Sequence, residues 1–315
     1  MSIGYNNGAS DMQGMGKDNW LKFSINRTYN NPYPELELEA HLKPLTSSNI
    51  VPWETAAKNV AKDIHANYQN LYIAMSGGID SEFIARTFLE LKIPFTPIIC
   101  KVSDLNDLDI WWAFKWCKEN NLEPVIVEPT VDDWVTRITE ISRDFCGRFG
   151  SGSATISFVH DYVLKHQGNL VTGAGFLEYF PDENLDYMQT HFKDSCLHNS
   201  DGTPKHGYLL HEPDMIQKTM YPSAPFNFLS WTPEIVLSYV YHRDMTIDSA
   251  ANKAKIMKCL PRPKNIGVPN CFFMLHPRAR KWVGIKNNIG TAEAAWVGTR
   301  DNILELLTSG VSNVR

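Results

Sequence analysis

Leu71-Tyr72-Ile73-Ala74-Met75-Ser76-Gly77-Gly78-Ile79-Asp80-Ser81 is the stretch that decides the fold. Five apolar residues, enough for a buried strand, run straight into two glycines. Phe83, Ile84, Thr87, Phe88 and Leu91 then recur at spacings of one, three and four, the period of a helix. Pro94 ends that helix. A strand, a glycine turn and a helix in this order make an anion site. Gly77 and Gly78 lack a Cβ, so the backbone turns sharply and its amides approach a ligand closely. Ser76 and Ser81 add hydroxyl donors, and the helix N-terminus contributes N–H groups and the positive end of its dipole. Asp80 repels a bare phosphate, so its carboxylate points to a magnesium ion bridging it to phosphate oxygens.

The competing reading is an ordinary strand-to-helix turn rich in Gly and Ser. With each residue type used at roughly 5–7%, five fixed positions meet by chance in about one chain of this length in a few thousand. The strand–loop–helix setting agrees as well, which a chance match would not require.

Outward from this stretch, strands and helices alternate. A helix is expected from Trp53 to Tyr68, a strand from Phe95 to Val102, a helix from Leu108 to Asn120 and a strand at Pro124–Val127. Helices follow at Val131–Ser142 and Ala154–His166, then a strand at Asn169–Gly173. Alternation of this kind predicts an α/β fold, a doubly wound parallel sheet with helices on both faces, with helical additions toward the C-terminus. Ligands of such sheets bind at the carboxyl ends of strands, where Ser76–Ser81 falls. Residues 1–19 read as a polar segment, loose unless docked, and Leu21–Leu45 as an extended or edge segment. The expected organisation is an N-terminal extension (1–50), a central domain (51–270) and a C-terminal extension (271–315). Trp111, Trp112 and Trp116 line one face of their helix. Aromatic stripes are more often core or subunit interface than ligand site, which leaves a homo-oligomer open.

The chain has 315 residues, 43% of them hydrophobic, enough for one principal core with additions. Thirty basic against 35 acidic residues give a net charge of −5, and the basic ones are scattered, so no nucleic-acid surface is indicated. Six widely spaced cysteines (Cys100, Cys117, Cys146, Cys196, Cys259, Cys271) offer no Cys-x-x-Cys pair and read as reduced structural thiols. No leader-like N-terminus and no bilayer-length apolar run is present, and the expectation is a cytoplasmic protein without a membrane partner.

Ser-Gly-Gly-x-Asp-Ser is the signature of the PP-loop ATP pyrophosphatases, and Ser76–Ser81 resembles it residue for residue. That superfamily has an adenine nucleotide alpha hydrolase (HUP-like) fold. The resemblance implies ATP and Mg2+ as cofactors and cleavage between the α and β phosphates to adenylate a small-molecule substrate. Three later segments resemble the synthetase domain of the asparagine synthetase family. Thr172–Phe180 is similar to its Gly-Glu-Gly-x-Asp-Glu loop: Gly173, Gly175 and Glu178 match, whereas Ala174 and Leu177 stand where that family has acids. Glu178 is thereby implied as a metal ligand beside Asp80 and as a site residue. Ala224–Ser230, with the helix that Thr232 and Pro233 open, is similar to the Pro-Phe-Leu-Asp segment, with no catalytic role given to Asn227.

Leu260-Pro261-Arg262-Pro263-Lys264 resembles the segment carrying the family's catalytic lysine. Lys264, with Arg262, is implied to neutralise charge on the transferring α-phosphate, although Pro/Lys-rich loops are also common as solvated surface. The family's glutaminase domain has no counterpart, so nitrogen is expected from free ammonia, an amine-bearing substrate or a separate protein. The resulting expectation is an ATP-dependent, AMP-forming ligase or amidotransferase-like enzyme. An NAD-synthetase-like enzyme, a sulfur-transfer enzyme or a nucleotide-binding subunit without turnover stay open as alternatives.

Overall fold

A computed structural model describes residues 13–17, 20–25, 38–42, 50–103, 106–144, 151–173, 177–180, 207–211, 228–242, 254–260 and 294–298. In chain order these form β1 (Gln13–Met15), β2 (Leu21–Ile25), β3 (Leu38–Leu42), α1 (Trp53–Asn67), β4 (Leu71–Ala74), α2 (Ile79–Glu90), β5 (Thr96–Cys100) and α3 (Asp107–Glu119). There follow β6 (Val125–Val127), α4 (Val131–Asp144), α5 (Ser151–Lys165), β7 (Asn169–Val171), β8 (Leu177–Phe180), β9 (Gly207–His211), α6 (Pro233–His242) and β10 (Ala294–Gly298).

The central sheet has the order β6-β5-β4-β7, and every pair in it is parallel. Side chains alternate between two cores, as a strand period of two requires. Leu71 and Ile73 of β4, Ile99 of β5 and Val171 of β7 join one cluster with residues of α1, α2, α3 and α6. Tyr72 and Ala74, Ile98 and Cys100, and Leu170 join the other with Trp134 of α4 and Ala154, Val159 and Val163 of α5. The split follows from the sheet order. Connections β4 to β5 to β6 run one way, and the next returns to the far side of β4. Keeping the right hand of each crossover while reversing direction moves the helices to the opposite face. This is the doubly wound α/β fold that the sequence predicts.

Two features go beyond the expected elements. The N-terminal segment forms an antiparallel sheet, β1-β2-β3, and it is docked. The Lys17 amide donates to Trp231 O at 2.7 Å, Trp20 Nε1 donates to Ser230 O at 2.9 Å, and the Lys17 ammonium pairs with Asp63 of α1. Beyond β7, the expected helical additions include α6, which packs on α1 through Trp53–Tyr239 ring contact at 5.4 Å and is tied to the segment just before α1 by a Ser238 Oγ hydrogen bond to Val51 O at 2.8 Å. The expectation of helical additions did not include the second antiparallel sheet found there, β10-β9-β8, in which β10 pairs with β9. Among the described residues no helix is long and apolar enough to cross a membrane.

Candidate functional site

The sheet order reverses between β4 and β7, and the crevice outside the carboxyl ends of two such strands is where ligands of open α/β sheets bind. Ser76–Ser81 leaves β4 there, and Thr172 and Gly173 leave β7 beside it. A Cβ built on Gly173 would lie 3.0 Å from Asp80 Cβ and 3.2 Å from Ile84 Cδ1. The fold therefore brings together the first loop and the first glycine of the second.

Gly77 has φ +82°, in the left-handed region, and a Cβ there would lie 1.8 Å from the backbone oxygen of Asp109 in the first turn of α3. Only glycine fits. Asn106 sets that contact from the other side. Its buried amide accepts from Val102 N at 2.8 Å and donates to Cys100 O at 2.9 Å, fixing the β5–α3 turn. Gly78 is the N-cap of α2 and supplies no side-chain cap. The helix start thus keeps its positive end and its amides directed at the crevice. Ser81 Oγ donates to Gly78 O at 2.9 Å, Gly78 N donates to Ser76 Oγ at 3.3 Å, and the two hydroxyls lie 3.4 Å apart. These bonds fix the turn, with Ser76 exposed and Ser81 buried.

Asp80 lies in the first turn of α2, with its Oδ1 buried. An acid at this position also stabilises the helix dipole, so position alone does not require a metal. The fit to magnesium rests on the donor set: a hard carboxylate oxygen stands in the first helical turn, directly after the glycine amides and next to the serine hydroxyls. Among the described residues no group of three or more His, Cys, Asp or Glu gathers to hold a metal. Mg2+ bound on a nucleotide needs only one or two carboxylates, because phosphates and water fill its other positions.

The remaining expected site residues are distributed as follows. The backbone of Glu178 lies on β8, paired with Leu209 of β9, rather than on a continuous loop. Gly175, Ala174, Asn227, Arg262 and Lys264 lie outside the described residues. Two groups that carry no motif also belong to this end of the sheet. Lys101 follows β5 and faces Asp107 of α3 at 3.9 Å. Segment 254–260 lies against α2, with the Cys259 thiol 3.9 Å from Ile79 O and Arg86 donating to the carbonyls of Met257 and Lys258. A long-range anchor leaves no local periodicity, whereas Asn106 could have been suspected from its place just before a helix start.

Among the described residues, Cys100, Cys117 and Cys259 are buried and free, and burial pushes Cys100 up to about 12 and Cys117 up to about 11. Of the tryptophan stripe, Trp116 is buried, whereas Trp111 is 52% exposed and shares Lys115 with Trp112 at 5.3 and 5.2 Å.

No family profile matches the chain, and no curated protein matches it. Solved structures that it resembles include an NMN synthetase from Francisella tularensis, at 17% identity over 38% of this chain and 52% of that one, TM-score 0.30. The chain thus spans about half the length of that relative. An NH3-dependent NAD synthetase from Campylobacter jejuni matches at 15% identity over 75% and 94%, TM-score 0.35. A U34-tRNA thiolase from Methanococcus maripaludis matches at 14% identity over 76% and 81%, TM-score 0.35.

Proposed function

We propose that the chain is a PP-loop enzyme that binds MgATP at the β4/β7 crevice, adenylates a small-molecule substrate with release of pyrophosphate, and completes an AMP-forming ligation. The observation that carries this reading is the Ser76–Ser81 turn at the reversal of strand order, with Gly77 in the left-handed region and Asp80 beside Gly173. In this reading the amides of Gly77 and Gly78 and the hydroxyls of Ser76 and Ser81 orient the leaving pyrophosphate, and Asp80 holds the cation. Magnesium supplies charge neutralisation on the phosphate oxygens. A substrate carboxylate oxygen attacks the α-phosphorus, the bond to the α–β bridging oxygen breaks, and pyrophosphate departs with that electron pair. A nitrogen nucleophile then attacks the acyl carbon, loses a proton, and AMP leaves. Positioning and electrostatic complementarity provide most of the acceleration.

Lys264 and Arg262 are proposed as the cations meeting charge on the α-phosphate, and Glu178 as a second acid of the site. Support for the lysine comes from connectivity: Cys259 lies against Ile79, and five residues span at most about 17 Å, enough for Lys264 to come near the loop. The nitrogen source is proposed to be ammonia, an amine or a partner protein. A second reading, an ATP-binding subunit without turnover, is favoured by Leu177. That residue stands where the resembled family has an acid, and it is the first residue of β8, paired with Leu210.

The test is chromatography of spent nucleotide together with pyrophosphate release, across amino acids, nucleotides and ammonia. AMP and pyrophosphate in equal amounts are expected. Accumulating ADP would overturn the reaction class, and bound ATP returned unchanged under every condition would favour the second reading.

A further inference from the structure

Arg86 sits on α2, five residues after Ser81, and its guanidinium reaches a segment more than 170 residues further along the chain. Nη1 donates to Lys258 O at 2.8 Å and Nη2 donates to Met257 O. These carbonyls close one helical turn (254–257), and the last carbonyls of a helical segment have no partner within it and carry its negative end. A planar fork with a fixed charge suits two adjacent carbonyls better than a point-like ammonium does. Two further contacts pin the same segment. The Lys258 ammonium pairs with Glu54 of α1, and the buried Cys259 thiol lies 3.9 Å from Ile79 O, one residue before Asp80. Leu260 follows, 64% exposed, and the sequence then runs Pro261-Arg262-Pro263-Lys264.

We infer that Arg86 is a positioning residue for adenylation: it clamps segment 254–260 against the first turn of α2, fixing the wall beside Asp80 and the point from which the chain continues toward Arg262 and Lys264. This inference rests on the reaction proposed above. Arg86 touches no phosphate in this account. It acts through the carbonyls of Met257 and Lys258, so its loss leaves the Ser76–Ser81 cradle complete.

Two measurements on the 315-residue chain separate the clamp from the reaction. The first is the rate at which iodoacetamide alkylates Cys259, followed by peptide mapping. In the wild type, burial raises the Cys259 pKa, while the charge and hydrogen bond of Arg86 pull it down. Removing Arg86 without moving the segment therefore slows alkylation, whereas releasing the segment exposes the thiol and speeds it. Arg86→Met is expected to speed alkylation by about tenfold or more, with Arg86→Lys intermediate. A rate that is unchanged or slower overturns the clamp. The second measurement is turnover: Arg86→Met is expected to lower kcat by about tenfold or more, with ATP affinity within about threefold of wild type and partial rescue in Arg86→Lys. Faster alkylation with kcat intact overturns the positioning role and leaves the ligase reading standing. A parallel fall in ATP affinity and kcat overturns it too, since the cradle itself would then depend on Arg86. If the wild type releases no pyrophosphate, the failure belongs to the proposed reaction, and the alkylation rates still report whether the clamp exists.

Discussion

The two loops at the strand reversal each carry a glycine at a close approach, and they differ in what lies opposite. At Gly77 the obstacle is a backbone oxygen, Asp109 O, at 1.8 Å from a hypothetical Cβ, and the residue itself has φ +82°. At Gly173 the obstacles are side-chain atoms, Asp80 Cβ at 3.0 Å and Ile84 Cδ1 at 3.2 Å, and no left-handed φ is involved. A carbonyl in the first turn of a helix can retreat only if α3 moves. The Ile84 methyl, at the end of its side chain, can swing aside by a few tenths of an ångström, and Asp80 Cβ, which moves only with the first turn of α2, needs to give by about as little. The first loop is thus fixed by backbone and the second by packing, so the same substitution has unequal consequences at the two.

The strongest way to break this comparison is to remove the group the loops share. Asp80→Ala is expected to abolish turnover, because the role proposed for its carboxylate is to hold the cation at the cradle. Titration calorimetry with and without magnesium checks the cause. Equal magnesium-dependent ATP affinity in wild type and variant would remove Asp80 from the metal and return it to the helix dipole. Next comes Gly77→Ala, where the left-handed backbone alone costs of order 1–3 kcal/mol for a residue with a Cβ and the collision with Asp109 O adds to that. Pyrophosphate release is expected to fall on the order of 100-fold or more, with weakened ATP binding. Wild-type ATP affinity in this variant would mean that α3 yields, and the distinction between the loops would be lost.

Much of the fold around the candidate site was legible because its signals are local. Ser76-Gly77-Gly78-Ile79-Asp80-Ser81 is contiguous, and its flanking strand and helix are announced by five apolar residues and by Phe83, Ile84 and Phe88 on one face. The boundaries of α1 and β7 agree with the expectation to within one or two residues for the same reason. The sequence did not reveal the β8–β9–β10 sheet, since Leu177–Phe180 pairs with β9, 30 residues on, and β9 pairs in turn with β10 at 294–298, and antiparallel pairing across such gaps leaves no periodic trace. Nor did it disclose Arg86, one more basic residue on an amphipathic helix until Met257 and Lys258 come beside it. The docking of Lys17 on Trp231 and Asp63 and of Trp20 on Ser230 has the same character, being conditional on a partner more than 40 residues away.

The comparison is sharpened by the matching change in the second loop. Gly173→Ala needs only small adjustments of Asp80 and Ile84, so pyrophosphate release is expected to fall by about tenfold or less and stability by about 1 kcal/mol. A rise of KM for ATP with kcat nearly unchanged would indicate displaced binding, whereas a fall confined to kcat would indicate that Asp80 has been pushed from its working position. A loss as severe as that of Gly77→Ala would show both loops to be equally rigid.

The smallest effect on activity is expected on the far side of the sheet, where α5 carries the buried His160. Burial pushes its imidazole down from 6.5 to about 3, so the folded chain keeps it neutral where the unfolded chain protonates it. The unfolded state then binds the extra proton throughout the window from 6.5 down to about 3, and stability falls as pH falls through that window. At neutral pH the contribution is fully present. His160→Gln, which has no proton to gain, is expected to flatten the acid limb of stability, removing a slope that approaches about 1.4 kcal/mol per pH unit. Urea midpoints of wild type and variant between pH 7 and 4 check this. Parallel curves would mean that His160 becomes solvated and protonated before the chain unfolds, and that the α4/α5 face is less tightly closed than the face carrying the two loops.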